Sequence, residues 1–244
     1  MSYHLSEEKS AEQISDWFKR PLVGTELFQQ AYHLSAFDNP MLPVISNTNP
    51  RQIDMYRWRL VPTDTIAEQA FGANTRNAKR ETIFTIKSYR RYWENRCLVI
   101  CTGFFEPHFV SQELPTESYY IKPRHREFLT LGAIFAPWNG INTFSIITTP
   151  TSPLLSEVHN EGQRMPLVLE GDAARLWVSA PGTLSQAEMT SLMQPYPHDD
   201  NWITYRTIDG ITNSRINTNV PEVLLPYEPK PAPYSELPLF GQPD

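Results

Sequence analysis

Residues 97–101, Cys-Leu-Val-Ile-Cys, are apolar without interruption. Five such residues are too few for a helix buried all round, and they suit a strand covered on both faces. Similar short runs follow at residues 118–122, 128–135 and 143–149, parted by turn-forming clusters. Gly132 interrupts the middle run, which predicts a bulge or a close backbone approach there. Hairpin-like clustering over this span favours antiparallel pairing and argues against a doubly wound parallel sheet.

The flanking segments fill in the plan. Ser10-Ala11-Glu12-Gln13 fits a capping box, with Ile14, Trp17 and Phe18 on one face, so a short amphipathic helix follows and stops before Pro21. Residues 35–52 read as turns, given Asn39-Pro40, Pro43 and Asn49-Pro50. Residues 55–61 read as a strand ended by Pro62. Ile86, Tyr89, Tyr92 and Trp93 recur at helical spacing, predicting a helix over 84–94 whose polar face carries Lys87, Arg90 and Arg91. Residues 165–169 and 202–208 read as strands, and short helices begin at Gly171 and behind the second capping box, Ser185 to Glu188. The sum is an α+β fold: a single domain over residues 1–220 with a mixed, largely antiparallel sheet flanked by short helices. Residues 221–244 hold seven prolines and read as an extended strap or a loose tail.

Whole classes of function drop out on composition. No apolar run approaches the roughly 20 residues of a membrane helix. The start, Met1-Ser2-Tyr3-His4, lacks the basic and apolar regions of a secretory signal. Cys97 and Cys101 sit on one face of a strand, too far apart for a disulfide, and read as reduced core thiols. These features place the chain in the cytoplasm. The six histidines show no metal-ligand spacing, so neither metal nor cofactor is expected. No G-x-S-x-G elbow supports a serine hydrolase. Net charge is −6, yet residues 76–96 carry seven basic side chains against two acidic ones. A local basic surface of this kind suits a short nucleic-acid footprint, although a solvated face would look the same.

Three dense polar stretches look like walls of one site, with the N-terminus as a fourth: Arg76 to Thr82, Gly103-Phe104-Phe105-Glu106-Pro107, and His159 to Pro166. With Trp58, Arg96-Cys97-Leu98 and Thr148-Thr149 between them, their order and spacing over residues 1 to about 178 resemble the SOS response-associated peptidase (SRAP) family. The resemblance implies a barrel-like sheet and a monomer whose partner is single-stranded DNA containing abasic sites, nucleoid-associated when bound. It implies a cysteine at position 2 that becomes the N-terminus when Met1 is removed by self-cleavage, then captures the abasic aldehyde as a thiazolidine. Carried over position by position, Asn77 orients the amine or sugar, Glu106 shuttles protons and His159 acts as general acid or base. His4, Trp58, Lys79, Arg80 and Arg164 fall at DNA-binding positions.

Departures from the family pattern are as informative. Position 2 is Ser2, whose hydroxyl is a far weaker nucleophile than a thiol, so self-cleavage and cross-linking are expected to be disabled or weakened. His4 replaces a common arginine, and Thr63-Asp64 stands where some members carry base-wedging aromatics. The span from His159 to Arg164 is longer than in the commonest pattern. The alternative function is a non-catalytic module for single strands or junctions, using the basic face of residues 76–96.

Overall fold

The computed structural model describes residues 2–68 and 71–229. Its strands are β1 (His4–Glu7), β2 (Ala31–Ser35), β3 (Met41–Ser46), β4 (Asn49–Trp58), β5 (Asn77–Lys79), β6 (Arg96–Cys101), β7 (Gly103–His108), β8 (Glu117–Pro123), β9 (Leu129–Trp138), β10 (Ile141–Pro150), β11 (Arg164–Pro166) and β12 (Trp202–Thr207). Among the described residues, four short α-helices accompany them: α1 (Ala11–Phe18), α2 (Pro153–Val158), α3 (Gly171–Trp177) and α4 (Gln186–Leu192). This is the mixed α+β fold, mostly antiparallel, that the pattern of short apolar runs predicts.

The strands form two sheets. One runs β12-β8-β7-β1-β2, all antiparallel, and sets the N-terminal strand between β7 and β2. In the other, pairings pass from β10 to β4, β3, β6, β9 and back to β10, closing a ring. β10 is the hub. It pairs β9 and then β11 along one edge, and β4 and then β5, both parallel, along the other.

Leu5 and Phe104 from the first sheet pack with Val99, Trp58 and Phe144 from the ring in one core cluster. Cys97 and Cys101 lie buried and unpaired in that cluster, where desolvation raises both thiol pKa values far above the ordinary range. The close approach predicted at Gly132 is present. Its N–H donates to the Leu167 carbonyl at 2.8 Å, and an added Cβ would lie 2.6 Å from a Leu167 methyl.

Both capping boxes form, at Ser10 with Gln13 and at Ser185 with Glu188. Other local expectations need correction. Residues 84–94 form successive turns rather than a helix, because Ile83, Tyr89 and Tyr92 are buried while Ile86 points out, 43% exposed. The β-branched cluster Thr82, Ile83, Thr85 and Ile86 is also a poor helix former. Residues 41–46, read as turns, are β3. Pro43 is tolerated because it pairs only with Met55 of β4, and pairing with β6 begins at Val44. The strand read over 55–61 ends at Trp58, since Arg59 takes φ 112 and leaves the sheet. Val223, within the proline-rich tail, is buried against Phe105 and Tyr120, so the folded body extends into that segment. Residues 230–244 lie outside the described residues.

Candidate active site at residue 2

Register places the N-terminus. His4 stands opposite Phe105 in the antiparallel β1–β7 pair, so continuing outward lays residue 2 beside the Glu106 end of β7. β10 sets Asn77, which pairs with Ile146, two rungs before Thr148 meets Lys79. His159 caps the C-terminus of α2 with non-helical φ −95 and ψ 63, leaving its ring free to turn inward.

The four residues meet. Ser2 is fully buried, and its Oγ donates to Glu106 Oε1. Asn77 Nδ2 donates to the Ser2 carbonyl at 2.9 Å. Nδ1 of His159 lies 2.9 Å from the Arg164 carbonyl and 3.2 Å from Glu106 Oε2. A carbonyl oxygen only accepts, so Nδ1 carries the hydrogen and directs it to Arg164. Glu106 Oε2 lies within ion-pair distance of the ring but receives no aligned hydrogen bond. Asn77 Oδ1 is likewise buried without a donor. Burial lifts the Glu106 carboxyl above its ordinary range, opposed by His159 and by the Ser2 hydroxyl. Two unsatisfied acceptors therefore flank residue 2, and one belongs to a carboxyl suited to hold a proton. Such an arrangement can receive N–H donors and return protons to an oxygen leaving group.

The side chains expected at DNA-binding positions have the following surroundings. Trp58 is buried in the core, its Nε1 donating to the Arg76 carbonyl at 2.9 Å. His4 is buried too, bonded through Nδ1 to His33 Nε2 at 2.9 Å, and desolvation lowers its pKa to about 3. Arg164 donates to the Thr148 hydroxyl and carbonyl and pairs with Glu81 at 3.0 Å, bracing β11 on β10. Arg80 donates to the Met193 carbonyl at 2.6 Å. Lys79 is exposed, with no ion-pair partner among the described residues. Four of the five thus have committed side chains, leaving Lys79 as the uncommitted cation of this set.

Sequence reasoning missed Tyr89, whose hydroxyl donates to the Asn77 carbonyl at 3.0 Å. Burial pushes its pKa to about 12, so it stays a donor. It read as one residue of an apolar helix face, and nothing in its spacing marked it. Among the described residues, no group of three or more His, Cys, Asp or Glu side chains is placed to hold a metal. No helix among them is long and apolar enough to cross a membrane.

The sequence profile of one family, SOS response associated peptidase (SRAP), matches residues 1–214. The chain belongs to the SRAP family. Membership links it to DNA-associated function in general and to a family known for peptidase-like activity. No curated protein matches the chain. Solved structures do. A protein from Bacteroides thetaiotaomicron superposes with a TM-score of 0.82 at 25% identity, covering 93% of this chain and 100% of its own. Two Bordetella bronchiseptica proteins share the fold. One has a TM-score of 0.70 at 19% identity, over 85% of this chain and 100% of that one. The other, described as phage-related, has a TM-score of 0.61 at 17% identity, over 85% and 94%. This SRAP chain has serine at position 2.

Proposed function

We propose that this SRAP protein recognises abasic sites in single-stranded DNA, and that Ser2 in place of cysteine disables the covalent step. The observation that carries the reading is the grip on residue 2. Asn77 holds its carbonyl, Glu106 accepts from its side chain, and Asn77 Oδ1 and Glu106 Oε2 are buried acceptors without a hydrogen-bond donor.

The chemistry follows from residue types. Removal of Met1 by hydrolysis of one peptide bond frees an α-amine, with a pKa of about 7.7–8.0. An opened abasic sugar offers an aldehyde. The amine adds to it, and loss of water gives an imine, for which a protonated Glu106 supplies the proton to the departing oxygen. A thiol at residue 2 then adds to the imine carbon and closes a five-membered ring. A serine hydroxyl, un-ionised at neutral pH, closes that ring poorly and reversibly. His159, fixed beside Glu106, tunes that proton transfer. Lys79 holds phosphate, while Arg80 and Arg164 brace the walls of the site.

The test is Ser2→Cys, incubated with an abasic single-stranded oligonucleotide and run on a denaturing gel. A stable shifted band, absent from the Ser2 parent and diminished by Asn77→Ala, is the expected result. No band from Ser2→Cys overturns the reading. A second reading, a non-catalytic single-strand binder, is favoured by the groove of about 400 Å³ that Lys87, Arg90 and Arg91 line with Phe71 and Tyr92. It predicts equal affinity for intact and abasic strands, falling steeply with salt.

A further inference from the structure

His159 ends α2, its N–H still donating to the Leu155 carbonyl at 2.8 Å but its own carbonyl beyond the helical ladder, and its ring must stay beside a buried carboxyl. Its neighbours supply the restraint. Glu106 belongs to β7, and the chain two and three residues further on is His108 and Phe109. His108 Nδ1 donates to the Val158 carbonyl at 2.9 Å, just before the histidine. Just after it, the Asn160 amide makes both halves of a ladder rung with Phe109. Its Oδ1 accepts from the Phe109 N–H at 3.0 Å, and its Nδ2 donates to the Phe109 carbonyl at 2.7 Å. The other bonds of the loop, His159 Nδ1–H to the Arg164 carbonyl at 2.9 Å, Gln163 N–H to the His159 carbonyl at 3.0 Å and Thr151 N–H to the Gln163 carbonyl at 3.1 Å, tie it to itself, to β11 and to the end of β10, not to β7.

The far side of the imidazole is closed as well. A Cβ on Gly162 would lie 2.1 Å from His159 Nε2. Gly162 is not among the glycines with positive φ, so space rather than conformational freedom requires a glycine there. The ring is thus held between Glu106 and the Gly162 main chain.

We propose that Asn160 is a positioning residue for the Glu106–His159 pair, fastening the histidine loop to the strand that carries the carboxyl while Gly162 backs the ring. Asn160 acts through His159 and touches no reacting atom. The inference rests on the reading of residue 2 as the reacting position, and two measurements separate the two ideas. In the full-length Ser2→Cys chain with an abasic oligonucleotide, Asn160→Ala should slow the single-turnover rate of adduct formation about tenfold or more. In the Ser2 parent, the same substitution should leave the oligonucleotide Kd within about twofold, because loop placement and not binding is lost. Asn160→Asp keeps the acceptor for the Phe109 N–H and should fall between. Gly162→Ala should slow the reaction by displacing the ring from the other side.

The second measurement needs no adduct. Proton NMR of the Ser2 protein should show a slowly exchanging His159 Nδ1–H, lost in Asn160→Ala. An unchanged rate, or a rate that falls only as far as affinity does, overturns the proposal, and so does retention of that proton signal. If Ser2→Cys forms no adduct but the NMR signal behaves as described, the proposed function fails and the positioning role stands.

Discussion

Glu106 is buried, and on the proposed reading that burial suits it to hold a proton. Desolvation disfavours its charged form, so the carboxyl keeps its proton to higher pH than a surface glutamate and can hand it to a leaving oxygen. Replacing Glu106 by Gln in the Ser2→Cys chain should therefore slow cross-linking by roughly 10²- to 10⁴-fold, read as band intensity against time. Trp58 makes a contrasting case. Trp58→Phe removes the donor to the Arg76 carbonyl and part of a core side chain, which should cost about 2 kcal/mol in chemical denaturation. The folded protein should lose little DNA affinity directly, since no part of Trp58 is accessible. Ser2, Asn77, Glu106 and His159 were singled out by their joint order in the family pattern, each alone reading as an ordinary polar residue, and the structure brings the four together. The contacts of Arg164 and Trp58 within the fold were not legible. Sequence cannot show that Glu81, 83 positions away, already claims Arg164, or that an indole N–H is spent on a loop carbonyl.

Short strands and capped helices read well because their signals are local. Ser10 and Gln13 satisfy each other's backbone groups, and Ser10→Ala should lower stability by about 1 kcal/mol in denaturant unfolding. Residues 84–94 misread because helical spacing alone does not say which residues of a stripe meet a core. There the buried set is Ile83, Tyr89 and Tyr92, held against Leu98, Ile147 and the carbonyl of Asn77. β3 was hidden by Pro43, whose tolerance depends on a neighbour, β6, that starts pairing one residue later. β1 carries only four residues, and what makes it a strand is its place between β7 and β2. Gly132→Ala should cost about 1–3 kcal/mol, since the added carbon enters the Leu167 side chain, and thermal melting will register it.

Several buried titratable groups give the molecule a pH profile with two limbs. Glu7 is fully enclosed, its Oε2 has no hydrogen-bond partner, and desolvation raises its pKa to about 8. The folded chain keeps this proton where the unfolded chain has lost it, so stability falls as pH rises from about 4.5 to about 8, by roughly 1.4 kcal/mol per unit at most. His4 and His33 act in the opposite sense. Burial lowers them to about 3 and about 4, so the unfolded chain takes up protons first and stability falls as pH drops below about 6.5. Thermal midpoints should peak between about pH 5 and pH 7, and Glu7→Gln should flatten the alkaline limb while leaving the acid limb in place. A midpoint still rising at pH 8 would contradict this account of Glu7.

The same N-terminal strand that buries Glu7 and His4 delivers residue 2 to Glu106, so the N-terminus is built into the middle of a sheet. The central claim is that this placement makes residue 2 the reacting position. Intact-mass spectrometry of Ser2→Cys after incubation with an abasic oligonucleotide tests it most directly. The account predicts a species lacking Met1 and heavier by the oligonucleotide minus one water. A chain that retains Met1, or one that loses it yet gains no oligonucleotide mass, would contradict it.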